Sequence, residues 1–285
     1  EPQIIYKALH IVLTHYEESP LIFSRYVFGI LNHSNQQEAD ETLRAFSDEL
    51  LLLEEIYLKG ISYSNHEDCD GALFSAIISV DTSFLFKYLD CLIAAQEDYF
   101  SAHDPYDTAR LLKIWDTEQY MDLADGVFDY CDSRRKESIH WLYWSPVKTM
   151  LHNKASHPEI IVKQDLWIQH AIEKYGHDGE RMYQLFSAIE ELPCDRRRKA
   201  VEKFLSVNAD PDVFEQLPLE PSHWGGIGSM IPYMQERIGY LRSLLPLVSG
   251  IKYLKQKQRI ERKIADWQES IRSEEVEELL ESWYR

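Results

Sequence analysis

IPYMQERIGYLRSLLPLVSGIKYLKQKQRIERKIADWQESI, residues 231–271, is the stretch whose reading decides the fold class. Its apolar side chains Ile231, Met234, Ile238, Leu241, Leu245 and Val248 recur at steps of three and four, the spacing that lines one face of a helix. Ser249-Gly250 interrupts the pattern, and Tyr253, Ile260, Ile264, Trp267 and Ile271 then resume a matching stripe. Two such stripes joined by a short break predict an antiparallel helical hairpin with a coiled-coil-like seam. Pro246 lies inside the first stripe, where its missing donor loosens or kinks the last turn. After Ile271 the apolar phase shifts to Val276, Leu279, Leu280 and Trp283, so the final turns are expected to face a different neighbour.

The same period recurs outward from this hairpin, and strand-like alternation is essentially missing. Ala39, Leu43, Phe46, Leu50, Leu53 and Tyr57 fall on one face of a helix over 36–59, and Leu85, Tyr88, Leu92 and Tyr99 repeat the pattern over 82–99. Met182, Leu185, Phe186 and Ile189 make a shorter stripe, followed by Val201, Phe204 and Leu205. Ser19-Pro20, Asp104-Pro105 and Asp210-Pro211 each place a capping side chain before a proline at the first helical position, where the missing N–H costs nothing. Asp81, Asp178 and Asp195 read as further caps, and Gly60, Gly176 and Gly250 as helix ends. The fold class that follows is all-α: an irregular α-solenoid of stacked helical hairpins ending in the antiparallel C-terminal hairpin. Residues 217–229 carry two prolines and three glycines that a continuous helix does not hold, so the predicted division is 1–216 and 217–285. Trp224, Gly225, Gly226 and Gly228 form the candidate hinge loop.

The 285 residues carry a net charge of −18, and it is distributed unevenly. Residues 1–132 hold 7 Lys/Arg against 25 Asp/Glu, whereas residues 133–285 hold 23 of each. An acidic half of this kind disfavours phosphate-backbone and anionic-membrane binding; it is either a tolerated solvated face or a surface that meets a basic partner. Glu41, Asp48 and Glu55 mark the candidate acidic partner surface. No apolar run reaches the roughly 18 residues that span a bilayer. Cys69, Cys91, Cys131 and Cys194 are scattered without a CxxC pair, which reads as reduced thiols in a cytoplasmic protein. The chain starts at Glu1 without a signal-like succession, so it is expected to be a fragment or a processed product.

Motifs of known chemistry are present only in broken form. Gly225-Gly226-Ile227-Gly228-Ser229 lacks the lysine and the preceding strand of a P-loop. His103-Asp104 and His177-Asp178 resemble metal-binding doublets, but both sit in turns next to proline or glycine. Of the two Glu-x-x-His pairs, Glu137 with His140 and Glu220 with His223, the second contains Pro221 and so is not helical as a di-iron bundle requires. His66, Glu67, Asp68, Cys69 and Asp70 read as a solvated loop. Trp141, Tyr143 and Trp144 suit packing better than ligand stacking. The basic runs 134–136, 196–199 and 252–263 read as charged faces of amphipathic helices. No catalytic residue, metal ligand or cofactor follows from these patterns.

A resemblance narrows the expectation. The phrases Lys199-Ala200-Val201-Glu202-Lys203-Phe204-Leu205 and Leu217-Pro218-Leu219-Glu220-Pro221-Ser222-His223-Trp224 carry its first part. Gly228-Ser229-Met230-Ile231-Pro232, Arg237-Ile238-Gly239-Tyr240-Leu241 and Gly250-Ile251-Lys252-Tyr253-Leu254 complete it. Over roughly residues 199–285 the chain resembles the helical C-terminal region of large bacterial STAND-type P-loop ATPases, some of which act in antiviral defence. The likeness implies a sensor or scaffold region that binds a protein partner or neighbouring domains, with any ATPase elsewhere. An all-helical metal-dependent hydrolase and a nucleic-acid-binding helical repeat are the alternatives, the first needing distant His and carboxylates to converge and the second needing its basic runs on one face.

Overall fold

The computed structural model describes residues 54, 57, 58, 71–97, 108–134, 146–151, 157–220 and 229–284, and every secondary element among them is helical. The chain divides into two units, residues 1–150 and 151–285. The C-terminal hairpin therefore belongs to the same unit as the helices before it, and 217 is not the boundary predicted from its prolines and glycines. The reason lies in the packing of that hairpin against residues 205–217.

In the first unit, α1 (Ala72–Val80) and α2 (Phe84–Glu97) are joined by a tight turn at Asp81. Gly71 starts α1 at φ 66°, a left-handed conformation that disfavours side chains with a Cβ. Asp81 accepts from both the backbone N–H and the hydroxyl of Ser83, so it holds the turn into α2 as a capping side chain should. The Ser83 hydroxyl is the chief reason the Asp81 carboxyl titrates low, at about 2. Phe74, Phe84, Tyr88 and Tyr57 form a buried aromatic cluster, with the Phe74 and Tyr88 rings 4.8 Å apart. Arg110, in α3 (Thr108–Leu112), is buried beside it and donates to the Tyr57 hydroxyl at 2.5 Å. A 3-10 turn over Lys113–Asp116 places Trp115 in the core, where its indole donates to the Met150 carbonyl at 2.7 Å. α4 (Tyr120–Ser133) packs through Gly126, where an added Cβ would lie 2.7 Å from the Phe86 ring. Of the stripe predicted over 82–99, Leu85 and Tyr88 are fully buried. The helix predicted over 36–59, the first two proline caps, Gly60 and Trp141, Tyr143 and Trp144 lie outside the described residues, Glu54, Tyr57 and Leu58 excepted.

The second unit runs α5 (Pro158–Tyr175), α6 (Gly179–Ala188), α7 (Cys194–Val207), α8 (Pro211–Gln216), α9 (Ile231–Leu244) and α10 (Leu254–Tyr284). Asp178 caps α6 by accepting from the N–H groups of Glu180 and Arg181, and Asp210 caps α8 by accepting from Asp212. Asp195 is not a cap: Pro193 occupies that position of α7, and Asp195 sits inside the first turn, where its charge complements the helix dipole. Arg196 pairs with Asp165 and Lys203 with Glu173, so α5 and α7 run parallel and pack directly on each other, α6 being the connection between them in the sequence. Gly176 ends α5 where an added Cβ would meet the Ile172 carbonyl at 2.5 Å and Val207 at 2.8 Å. Asn208 donates to the Gly176 carbonyl and closes the same junction. Trp167, Ile172, Met182, Leu185, Val201, Phe204 and Phe214 build the core.

α9 and α10 pack along each other as the seams predict, with Met234, Ile238, Leu241, Val248, Ile260 and Ile264 buried. Pro246 tightens the end of the first seam into a 3-10 turn over Leu245–Val248. The hairpin is tied to the preceding helices by polar side chains. The Tyr253 hydroxyl donates to the Leu205 carbonyl at 2.9 Å, and Gln256 donates to the Ala209 carbonyl at 2.7 Å. Arg259 donates to the carbonyls of Phe214 and Leu217, the latter at 2.7 Å. No helix among the described residues is long and apolar enough to cross a membrane.

Candidate functional site

Two features of the second unit are positioned for recognition. The first is the outer half of α10. The seam with α9 reaches its end near Trp267, whose indole donates to Glu220, and Ile271 is half-buried. Beyond it α10 continues to Tyr284, about 20 Å further at 1.5 Å rise per residue. Val276 is 56% exposed, Leu280 50% and Trp283 79%. These three lie at i, i+4 and i+7, one face of the helix, and Leu279 beside them is 57% exposed. Glu274, Glu275, Glu277 and Glu278 surround them with negative charge. The phase shift after Ile271 thus turns an apolar stripe to solvent instead of onto a second neighbour among the described residues.

The second feature is a cleft of about 340 Å³ between the α6–α7 connection and α9. Cys194 and Arg197 of α7 and Tyr233, Arg237 and Tyr240 of α9 line it, with Glu190, Glu191 and Glu236 also on its walls. Arg197 is 95% buried, being 5% exposed, and stacks 4.2 Å from the centre of the Tyr240 ring. Its Nη2 donates to the Cys194 sulfur at 3.3 Å, while Nε and Nη1 are buried without an acceptor. Arg237 lies over the rings of Tyr233 and Trp267, at 4.3 and 4.6 Å. Burial raises the Tyr240 hydroxyl to about 12.

Several side chains of the basic runs are held by partners within the chain, at the surface as well as in the interior. Arg134 pairs with Asp90 at 2.5 Å, and Arg196 with Asp165 at 2.6 Å. Arg198 donates to the Ser243 carbonyl. Arg262 and Lys263 pair with Glu215 and Glu220. The reading of these runs as solvated faces is corrected at Arg196, Arg197 and Arg259, which are buried.

Among the described residues no group of three or more His, Cys, Asp or Glu is arranged to hold a metal ion. His177 is exposed in the turn before α6, and Cys91, Cys131 and Cys194 are free thiols, that of Cys131 pushed up by burial. The acidic candidates Glu41, Asp48 and Glu55, the hinge residues Trp224, Gly225, Gly226 and Gly228, the 66–70 cluster, His103-Asp104, and Glu137, His140 and His223 lie outside the described residues. No protein-family model, no curated protein and no solved structure matches the chain.

Proposed function

We propose that the protein is a non-catalytic helical scaffold or sensor, an irregular α-solenoid whose outer α10 docks a protein partner or a neighbouring domain. The observation that carries this reading is the exposed face of Val276, Leu280 and Trp283 on the outer half of that helix. Apolar anchors at i, i+4 and i+7 are the pattern by which a helix seats in a groove, and tryptophan is a favoured anchor of such interfaces. The flanking glutamates select a groove with a basic rim. The direct parallel packing of α5 on α7, alternate helices of the chain, supports the solenoid part of the reading. The resemblance of residues 199–285 to sensor regions of STAND-type ATPases supports a role in bacterial antiviral defence, in the cytoplasm, with nucleotide chemistry elsewhere.

A photo-crosslinking amino acid placed at 280 or 283 in the native cells tests the reading. It is expected to trap one discrete partner or domain, absent when the probe stands at the exposed polar position 269. The purified partner should then lose about tenfold or more in affinity for Trp283→Ala, the scale of a lost anchor. Equal crosslinking at 269 and 283, or unchanged affinity, contradicts it.

A further inference from the structure

Among the described residues of the second unit, Arg197 is a buried cation that no carboxylate neutralises. Arg196 has Asp165 at 2.6 Å and Arg259 has Glu215 at 3.6 Å. Arg197 has the Tyr240 ring and a thiol, and two of its nitrogens lack any acceptor. Burying a guanidinium in this state is unfavourable, and an anion brought to it offsets the cost. The residue also lines the cleft of about 340 Å³, near the lower end of ligand-site volumes, which fits a small molecule better than a peptide or a nucleotide.

We propose that this cleft binds a small zwitterionic carboxylate of the free amino-acid class, its carboxylate on Arg197 and its ammonium group toward the wall glutamates. The guanidinium fork suits a carboxylate because two parallel N–H donors meet its two oxygens. Glu190, Glu191 and Glu236 outnumber Arg197 and Arg237 in the lining, which opposes a polyanion and favours a ligand that carries one charge of each sign. Tyr233, Tyr240 and Leu192 supply apolar wall for the rest of the molecule. Nε and Nη1 are covered, so binding includes a turn of the guanidinium away from Cys194 toward the ligand. A thiol is a weak acceptor, which leaves that turn inexpensive. This inference is independent of the docking helix.

Calorimetric titration of the full chain with the twenty common amino acids, acetate and inorganic phosphate tests it. At least one amino acid should bind saturably, and acetate and phosphate at equal concentration should not. Arg197→Gln should weaken that binding about tenfold or more while the chain stays folded, since its removal relieves an unneutralised charge. Glu236→Gln changes an exposed side chain, and it should weaken amino-acid binding through the ammonium group. Absence of any amino-acid binding, preference for phosphate as an adventitious anion, or unchanged affinity in Glu236→Gln overturns the proposal.

Discussion

Replacing Arg259 by methionine separates the hairpin from the helices it rests on. Arg259 is 8% exposed, and its guanidinium closes the end of α8 by donating to the carbonyls of Phe214 and Leu217. Its plane also lies 5.3 Å from the Phe214 ring, and Glu215 stands 3.6 Å from Nε. Methionine keeps most of the apolar stem, so the loss isolates the hydrogen bonds. Each charged hydrogen bond contributes about 1.5–3 kcal/mol, and its removal leaves a buried carbonyl without a donor. Against this, burial already strains the cation, as the lowering of its pKa by desolvation indicates, and that cost is recovered on substitution. The balance is a loss of about 3 kcal/mol, or roughly 10 °C in melting temperature. Arg259→Lys should restore less than half, because a compact ammonium lacks the spaced fork whose two Nη groups reach the two carbonyls. Urea denaturation followed by tryptophan fluorescence reads the difference. An Arg259→Met variant within about 1 kcal/mol of the parent refutes the view that this side chain ties the hairpin to α8.

Leu241→Asp, at a position 1% exposed, should cost about 3 kcal/mol or more in the same assay by burying an unpaired charge, and Ile264→Asp, 9% exposed, somewhat less. Near-parental melting of both would mean that α9 and α10 do not pack on each other. Two glycines give opposite signs: Gly176→Ala forces a Cβ onto the Ile172 carbonyl and should destabilise by about 1–3 kcal/mol, whereas Gly239→Ala, with open space around it, should stabilise α9 by up to about 1 kcal/mol. Thermal melts check both, and equal signs contradict the packing. Asp81 titrates at about 2 when folded, below its ordinary value near 4, so its contribution is present above pH about 4 and fades as pH falls through about 2. Asp81→Asn should therefore lower stability at pH 7 and make little difference near pH 2; an equal penalty at both pH values removes the carboxylate from the explanation.

The hairpin was legible because its two seams are long and in phase, and the Asp178 and Asp210 caps because each side chain sits one residue before its helix. The unit boundary was not legible. Pro218 follows the end of α8, yet the C-terminal hairpin folds back onto α7 and α8 through Tyr253, Gln256 and Arg259. Such contacts span more than 40 residues and leave no local signal. One clue existed: Gln256 fills the gap between Tyr253 and Ile260 in the seam, a polar residue at a buried position that needs a backbone acceptor. Arg197 likewise stands in register with Val201 and Phe204, four and seven positions on, which marks it as inward-facing. The run of basic residues around it hid that register. Asp195 misled because Pro193 already supplies the extended residue before α7.

Whether the outer half of α10 stands uncovered until a partner seats on it is tested most directly by hydrogen exchange along that helix in the free chain. Amides around Ile260 and Ile264, under the seam with α9, should exchange slowly, and those from Glu274 to Trp283 should exchange orders of magnitude faster and slow only when the partner binds. Uniformly slow exchange from Ile260 to Trp283 in the free protein would contradict the account, because the stripe of Val276, Leu280 and Trp283 would then already be covered.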